Sequence, residues 1–104
     1  MIGIDIVKTH LRVDFDDEDE LIKVYIDAAI DSAEAYLDRS LIASEDQRKT
    51  PDDLVINGSV RAAILLTVGH LYANREQEII GSITSELKFS ARNLLMPYRI
   101  KLGV

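Results

Sequence analysis

Residues 60–76 read VRAAILLTVGHLYANRE, and residues 89–99 read FSARNLLMPYR. In the first stretch Val60, Ala62, Ala63, Ile64, Leu65, Leu66, Val68, Leu71 and Tyr72 cover nearly the whole circumference of a helix. A helix apolar all round, here expected from about Gly58 to Arg75, belongs in the middle of a bundle or between subunits. Leu66 is expected inside with the rest. Asn57 and Ser59 are both suited to cap its start, because either side-chain oxygen can accept from an orphan amide. Gly69 costs about 1 kcal/mol relative to Ala by propensity, which a close helix approach would explain. In the second stretch Ser90 to about Leu95 forms a short helix, and Pro97, which disfavours helical geometry at Met96, ends it.

Working outward, a short helix is expected near Ile4 to Leu11 and a long one from about Asp17 to Arg39. At 100° per residue Ile22, Ile26, Ala29, Ile30, Ala33, Tyr36 and Leu37 share one face of the long helix. Glu20, Lys23, Asp27, Asp31, Glu34 and Asp38 hold the opposite, wet face. Ser40 to Asn57 reads as a polar linker. Glu76 to Phe89 carries Ile79, Ile80, Ile83, Leu87 and Phe89 on a stretch broken by Gly81 and Ser82. It is too irregular for a helix and too apolar for a free loop, so it folds back as a hairpin or docks on a neighbouring subunit as a strand or arm. The expected fold is all-α: a small helical bundle in one domain over residues 1–104, with a long amphipathic helix, a buried central helix, an extended arm over about 76–89 and a short C-terminal helix.

The chain has 104 residues, 47% hydrophobic and 29% charged, which suits one small domain. A domain of this size buries about 60 to 70% of its unfolded surface, so oligomerisation adds useful burial. No stretch reaches the roughly 18 apolar residues of a membrane span, and MIGIDIVK lacks the basic and apolar regions of a signal peptide. Synthesis and use in a cytosol are expected, and the absence of cysteine agrees. A formal charge of −6 argues against free-standing nucleic-acid binding, because duplex affinity comes mostly from Lys and Arg replacing counterions.

The acid run Asp14, Asp16, Asp17, Glu18, Asp19, Glu20 invites comparison with a Ca²⁺ loop, but a loop starting at Asp14 puts Asp19 where Gly is needed and Tyr25 where a bidentate Glu is needed. The better reading is a helix start: Asp16 or Asp17 caps the long helix, Asp17 and Glu20 have capping-box spacing, and the other acids favour the positive end of the helix dipole. His10 and His70 have no partner at zinc spacing and no nucleophile motif or phosphate loop beside them. No catalytic, metal or cofactor residue is expected, and the chain does not read as an enzyme. The scattered tyrosines and phenylalanines suit packing rather than base stacking. Asn74, Arg75 and Glu76 read equally as a helix cap with a solvated ion pair and as an inter-subunit contact. The expected oligomer or partner interface is Arg75, Glu76, Ile79, Ile80, Ile83, Leu87 and Phe89 with the tail residues Met96, Tyr98 and Arg99.

Three phrases in order resemble one family. Val7, Lys8, His10, Leu11, Arg12, Val13 and Asp14 are similar to "V-K-x-H-L-R-[VI]-D". Ala63, Ile64, Leu65 and Leu66, then His70, Leu71, Tyr72, Asn74, Arg75 and Glu76, are similar to "A-I-L-L…H-x-Y-x-N-R-E". Leu94, Leu95, Pro97, Tyr98 and Arg99 are similar to "L-L-x-P-Y-R". All three belong to the small head-tail connector family of long-tailed bacteriophages and prophages. Where that family usually leads into the central helix with Leu-Pro-Pro, this chain has Leu54, Val55, Ile56 and Asn57.

The resemblance implies a structural virion component at the head-tail junction, assembled in the bacterial host cytoplasm. It implies a homo-oligomeric ring, dodecameric on the virion, that lies beneath the portal protein, extends the DNA channel and receives head-completion or tail proteins. DNA would pass through without specific binding, and the acidic helix face could line the channel, like charge keeping DNA mobile. Two other classes compete: a small DNA-packaging or regulatory protein with a helix-turn-helix, and a generic helical interaction module of the host. The first calls for clustered Lys and Arg on a recognition helix, where the central helix has only Arg61 and Arg75.

Overall fold

The computed structural model describes residues 2–74 and 89–100. Helix α1 spans Ile4–Leu11. It stops because Arg12 adopts the left-handed conformation (φ 61°), and the Val13 amide then reaches back to the Lys8 carbonyl at 2.9 Å, closing the helix end in a Schellman pattern. Helix α2 spans Asp19–Leu37 and also stops at a left-handed residue, Asp38 (φ 58°), whose amide donates to the Glu34 carbonyl at 2.8 Å. Its start differs from the expectation: the residue before the first turn is Glu18, with no side-chain cap bond. Asp16 and Asp17 do not cap the helix, because Asp16 accepts instead from Lys8 at 2.6 Å.

The segment expected as a polar linker is ordered. Strands β1 (Leu41–Ile42) and β2 (Leu54–Val55) pair in parallel, Leu41 opposite Leu54 and Ile42 opposite Val55. Parallel strands need a long crossover, and residues 43–53 supply it with a 3-10 turn at Glu45–Gln47. Arg48 holds that crossover together by binding the Glu45 carboxylate at 2.5 Å and the Asp53 carbonyl at 2.6 Å. Asp53, buried, accepts from the Lys49 amide at 2.8 Å and the Thr50 hydroxyl at 2.8 Å. The Leu54-Val55-Ile56-Asn57 lead is therefore a strand followed by a helix cap.

Helix α3 spans Gly58–Ala73, and Asn57 caps it, its side chain accepting from the Val60 amide at 3.0 Å. Helix α4 spans Phe89–Leu95 and passes into a 3-10 turn at Met96–Tyr98 that contains Pro97. Helix α3 is the centre of the structure, packed chiefly on α2 and α4 with α1 laid across it. Val60, Ala63, Ile64, Val68 and Leu71 from α3 share one core with Ile22, Tyr25, Ala29, Ala33 and Leu37 from α2, Val7 from α1, and Ala91 and Leu95 from α4.

The fold is predominantly helical, as the sequence indicates, and side-chain placement corrects it in detail. Leu66 is 39% exposed, so α3 presents one side to solvent. Thr67 is buried instead, its hydroxyl donating to the Ala63 carbonyl at 2.9 Å. Tyr25 joins the core beside the expected face of α2. Glu34, expected wet, is half-buried and accepts from the Leu41 amide at 2.7 Å.

Candidate assembly interface

Helix ends leave their last carbonyls without partners, and at the end of α2 the C-terminal residues fill that need. The Arg99 Nε donates to the Tyr36 carbonyl at 2.8 Å, and the Ile100 amide donates to the Leu37 carbonyl at 3.1 Å. The Arg99 guanidinium lies over the Tyr36 ring, 4.6 Å from its centroid, within cation-π range. Arg39, just past the helix, donates to the Tyr98 carbonyl at 3.0 Å and to the Asp52 carbonyl at 2.6 Å. This clasp fixes the tail, the β1–β2 crossover and α2 to one another. Beside it opens a cavity of about 360 Å³ lined by Tyr36, Arg92, Asn93, Met96 and Arg99.

The acid run forms a joint between α1 and α2. Lys8 Nζ lies 2.6 Å from Asp16 Oδ1 and 2.9 Å from Asp19 Oδ1, with the Lys8 side chain only 12% exposed. Bonding to Asp16, and then to Asp19, holds the Lys8 ammonium above its ordinary pKa, and the same bond from Lys8 holds the Asp16 carboxyl below its own. Asp16 is 87% exposed, so water screens much of this pairing. Among the described residues no group of three His, Cys, Asp or Glu converges on a point where a metal would sit. No described helix is long and apolar enough to cross a membrane.

The histidines are placed by packing. A Cβ added at Gly69 would meet His10 Nε2 at 3.2 Å, so this glycine is where α1 approaches α3, the close contact that its position in the sequence implied. His70 Nδ1 lies 3.1 Å from Asn74 Nδ2, and Asn74 caps α3 with both its amide and its side chain on the His70 carbonyl. The Tyr72 hydroxyl donates to Glu18 at 2.5 Å, tying α3 to the start of α2.

Of the residues expected at an interface, Arg75, Glu76, Ile79, Ile80, Ile83 and Leu87 lie outside the described residues, as does the Phe89 side chain. Met96 is 47% exposed on the cavity rim. Tyr98 and Arg99 are half-buried in the clasp. Sequence reasoning missed Tyr36, Arg92 and Asn93 as walls of this cavity, although a signal for a basic surface was present. Residues 88–101 contain Lys88, Arg92, Arg99 and Lys101 and no acid, whereas residues 14–38 hold ten of the 18 acids with Lys23 as the single base.

Compared with known families, residues 1–100 match the family described as phage gp6-like head-tail connector protein. No curated protein and no solved structure shows significant similarity to the chain.

Proposed function

The chain belongs to the phage gp6-like head-tail connector family, and from that membership we propose that it is the subunit of a ring, dodecameric on the virion, set between the portal and the head-completion or tail proteins. The coarser role comes with the family: a structural, non-enzymatic component of the phage virion that works in contact with other head and tail proteins. In the finer reading the ring extends the DNA channel, DNA passes without specific binding, and assembly takes place in the host cytoplasm. The whole of residues 1–104 acts as one connector domain. The observation that carries the reading is a family match over residues 1–100. It agrees with a thin core that gains from neighbours.

Self-association or partner binding is assigned to Arg75, Glu76, Ile79, Ile80, Ile83, Leu87 and Phe89 with Met96, Tyr98 and Arg99, because clustered apolar side chains on a sequence interrupted by Gly81 and Ser82 mark interfaces. Native mass spectrometry of the purified protein, alone and with the portal, tests the ring directly. Replacing Ile79 and Ile80 with Ser should leave the monomer's thermal transition nearly unchanged and abolish higher oligomers or portal binding. Unfolding of the monomer by that pair would return the segment to the intramolecular core.

A further inference from the structure

Two unlike surfaces lie on opposite sides of α2, and we propose that they meet between neighbouring copies of the chain: the Arg92–Arg99 cavity of one copy receives the Val24, Asp27 and Asp31 ridge of the next. The proposal rests on the ring reading above and names its contact. The first surface is the cavity of about 360 Å³ lined by Tyr36, Arg92, Asn93, Met96 and Arg99. Arg92 is exposed and makes no hydrogen bond or ion pair among the described residues. Arg99 commits its Nε to the Tyr36 carbonyl and its face to the Tyr36 ring. Its outer nitrogens have no carboxylate among the described residues. The cavity therefore offers two guanidinium groups beside the exposed Met96, and residues 88–101, which supply every wall but Tyr36, hold no acid.

The second surface answers it. Val24, Asp27 and Asp31 stand at i, i+3 and i+7, so they form one ridge along α2. At 100° per residue that ridge lies about half a turn round from Tyr36. All three are exposed, Val24 by 44%, and neither aspartate is ion-paired among the described residues. The two carboxylates are about 6 Å apart along the axis, which gives each arginine one acid to face while Val24 meets the exposed Met96. Tyr, Arg and Met are the residue types enriched at the centres of protein interfaces. Because the surfaces differ and face opposite ways, the contact is heterologous and continues from copy to copy until rotation closes a ring. It turns the outer face of α2 to a neighbour and not to the channel. A DNA phosphate is the weaker occupant: two arginines release few counterions, and Arg99 already covers the one aromatic face in the cavity.

The test uses the full chain with Arg92→Asp and Asp31→Arg, two exposed positions outside the clasp. In native mass spectra at low salt, each variant alone should lose the species larger than monomer that the wild type forms, alone or with the portal. A one-to-one mixture should regain them with an even number of copies, since alternating subunits restore every contact. Wild-type assembly by each variant alone would overturn the contact and leave the ring standing. A mixture that stops at dimers would show a two-fold contact and overturn it too. Loss of binding to a short DNA duplex by Arg92→Asp, with assembly intact, would give the arginines to DNA. A wild type that stays monomeric both alone and with the portal would sink the ring reading, and the contact with it. Should a charge variant fail to fold, Met96→Cys and Asp27→Cys serve instead, because the chain has no other cysteine. A short bismaleimide should join the two when mixed and neither to itself, and absence of the mixed product would overturn the contact.

Discussion

Replacing Gly69 with Ala sets helix propensity against a single contact. Gly69 lies inside α3, where Ala is favoured over Gly by about 0.8 to 1.0 kcal/mol. Against this, the new Cβ would come within 3.2 Å of His10 Nε2 and 3.8 Å of Cδ2, with nothing else within 4 Å. The obstacle is the far end of an exposed side chain, not backbone, so the ring can yield by a few tenths of an ångström. Turning it about 30° off its rotamer would cost roughly 0.5 to 1.5 kcal/mol, and the shift needed is smaller. Gly69→Ala should therefore be neutral or stabilising by up to about 0.5 kcal/mol. In a His10→Ala background the full gain of about 1 kcal/mol should appear, and the difference is the coupling between the two residues. Urea midpoints of the four proteins at constant m-value measure it. Destabilisation by more than about 1 kcal/mol in both backgrounds would mean that α1 and α3 meet here by backbone, and the reasoning fails.

Ile64→Ala and Leu71→Ala, at positions 0% and 1% exposed, should each cost about 2 to 5 kcal/mol, while Leu66→Ala, at 39% exposed, should cost about 1 kcal/mol because much of the side chain is already in water; urea unfolding ranks them. Arg12→Gly should stabilise by about 0.5 to 1 kcal/mol, since relief of the left-handed strain exceeds the added freedom of the unfolded chain, and a higher melting temperature reads it out. The Asp53 carboxyl is held below its ordinary pKa, first by the Lys49 amide and then by the Thr50 hydroxyl; a depressed folded-state value gives stability that is complete above the unfolded pKa of about 4 and lost as pH falls through the folded one. Asp53→Asn should lower the urea midpoint at pH 7 and flatten its decline below about pH 4.

The helices were legible because their signals are local and periodic. The helix near Ile4 to Leu11 was readable, and the start of α3 at about Gly58 was too, with Asn57 one of two residues suited to cap it. What escaped reading depends on contacts between residues far apart in sequence. Nothing near Asp16 shows that Lys8, eight residues earlier, takes the carboxylate a cap would have used. The two-residue strands are too short for any alternation to show. They exist because the Leu54 amide finds the Ser40 carbonyl at 2.8 Å and the Ile56 amide finds the Ile42 carbonyl at 2.9 Å. Leu66 looked interior because an all-apolar helix gives no phase by which to choose a face. The arginine cavity escaped because its walls come from residue 36 and residues 92–99, although the acid-free window around Arg92 was there to be read.

The phrases that reveal the family are the joints of the fold. In the first, His10 packs on Gly69, Lys8 bridges to Asp16 and Asp19, and Arg12 turns the chain with a positive φ. In the second, His70 and Asn74 close α3, and Tyr72 ties it to Glu18. In the third, Pro97 sits in the 3-10 turn, the Tyr98 carbonyl accepts from Arg39, and Arg99 binds the end of α2. Each joint links elements distant in sequence through particular side-chain atoms, and few other residue types supply the same geometry. Residues that meet a neighbour answer to that neighbour's surface instead. Val24, Asp27, Asp31 and Arg92 accordingly belong to none of the three phrases. Of the residues in the proposed cavity-to-ridge contact, Arg99 stands on both sides, its Nε holding the clasp while its side chain lines the cavity. Arg99→Lys separates the two duties. It keeps the charge but loses the fork and the stacked plane, so it should lower the melting temperature through the clasp. Arg92→Lys, with no such bond to lose, should leave that temperature unchanged. Equal melting temperatures for the two variants would show that the clasp does not stabilise the fold.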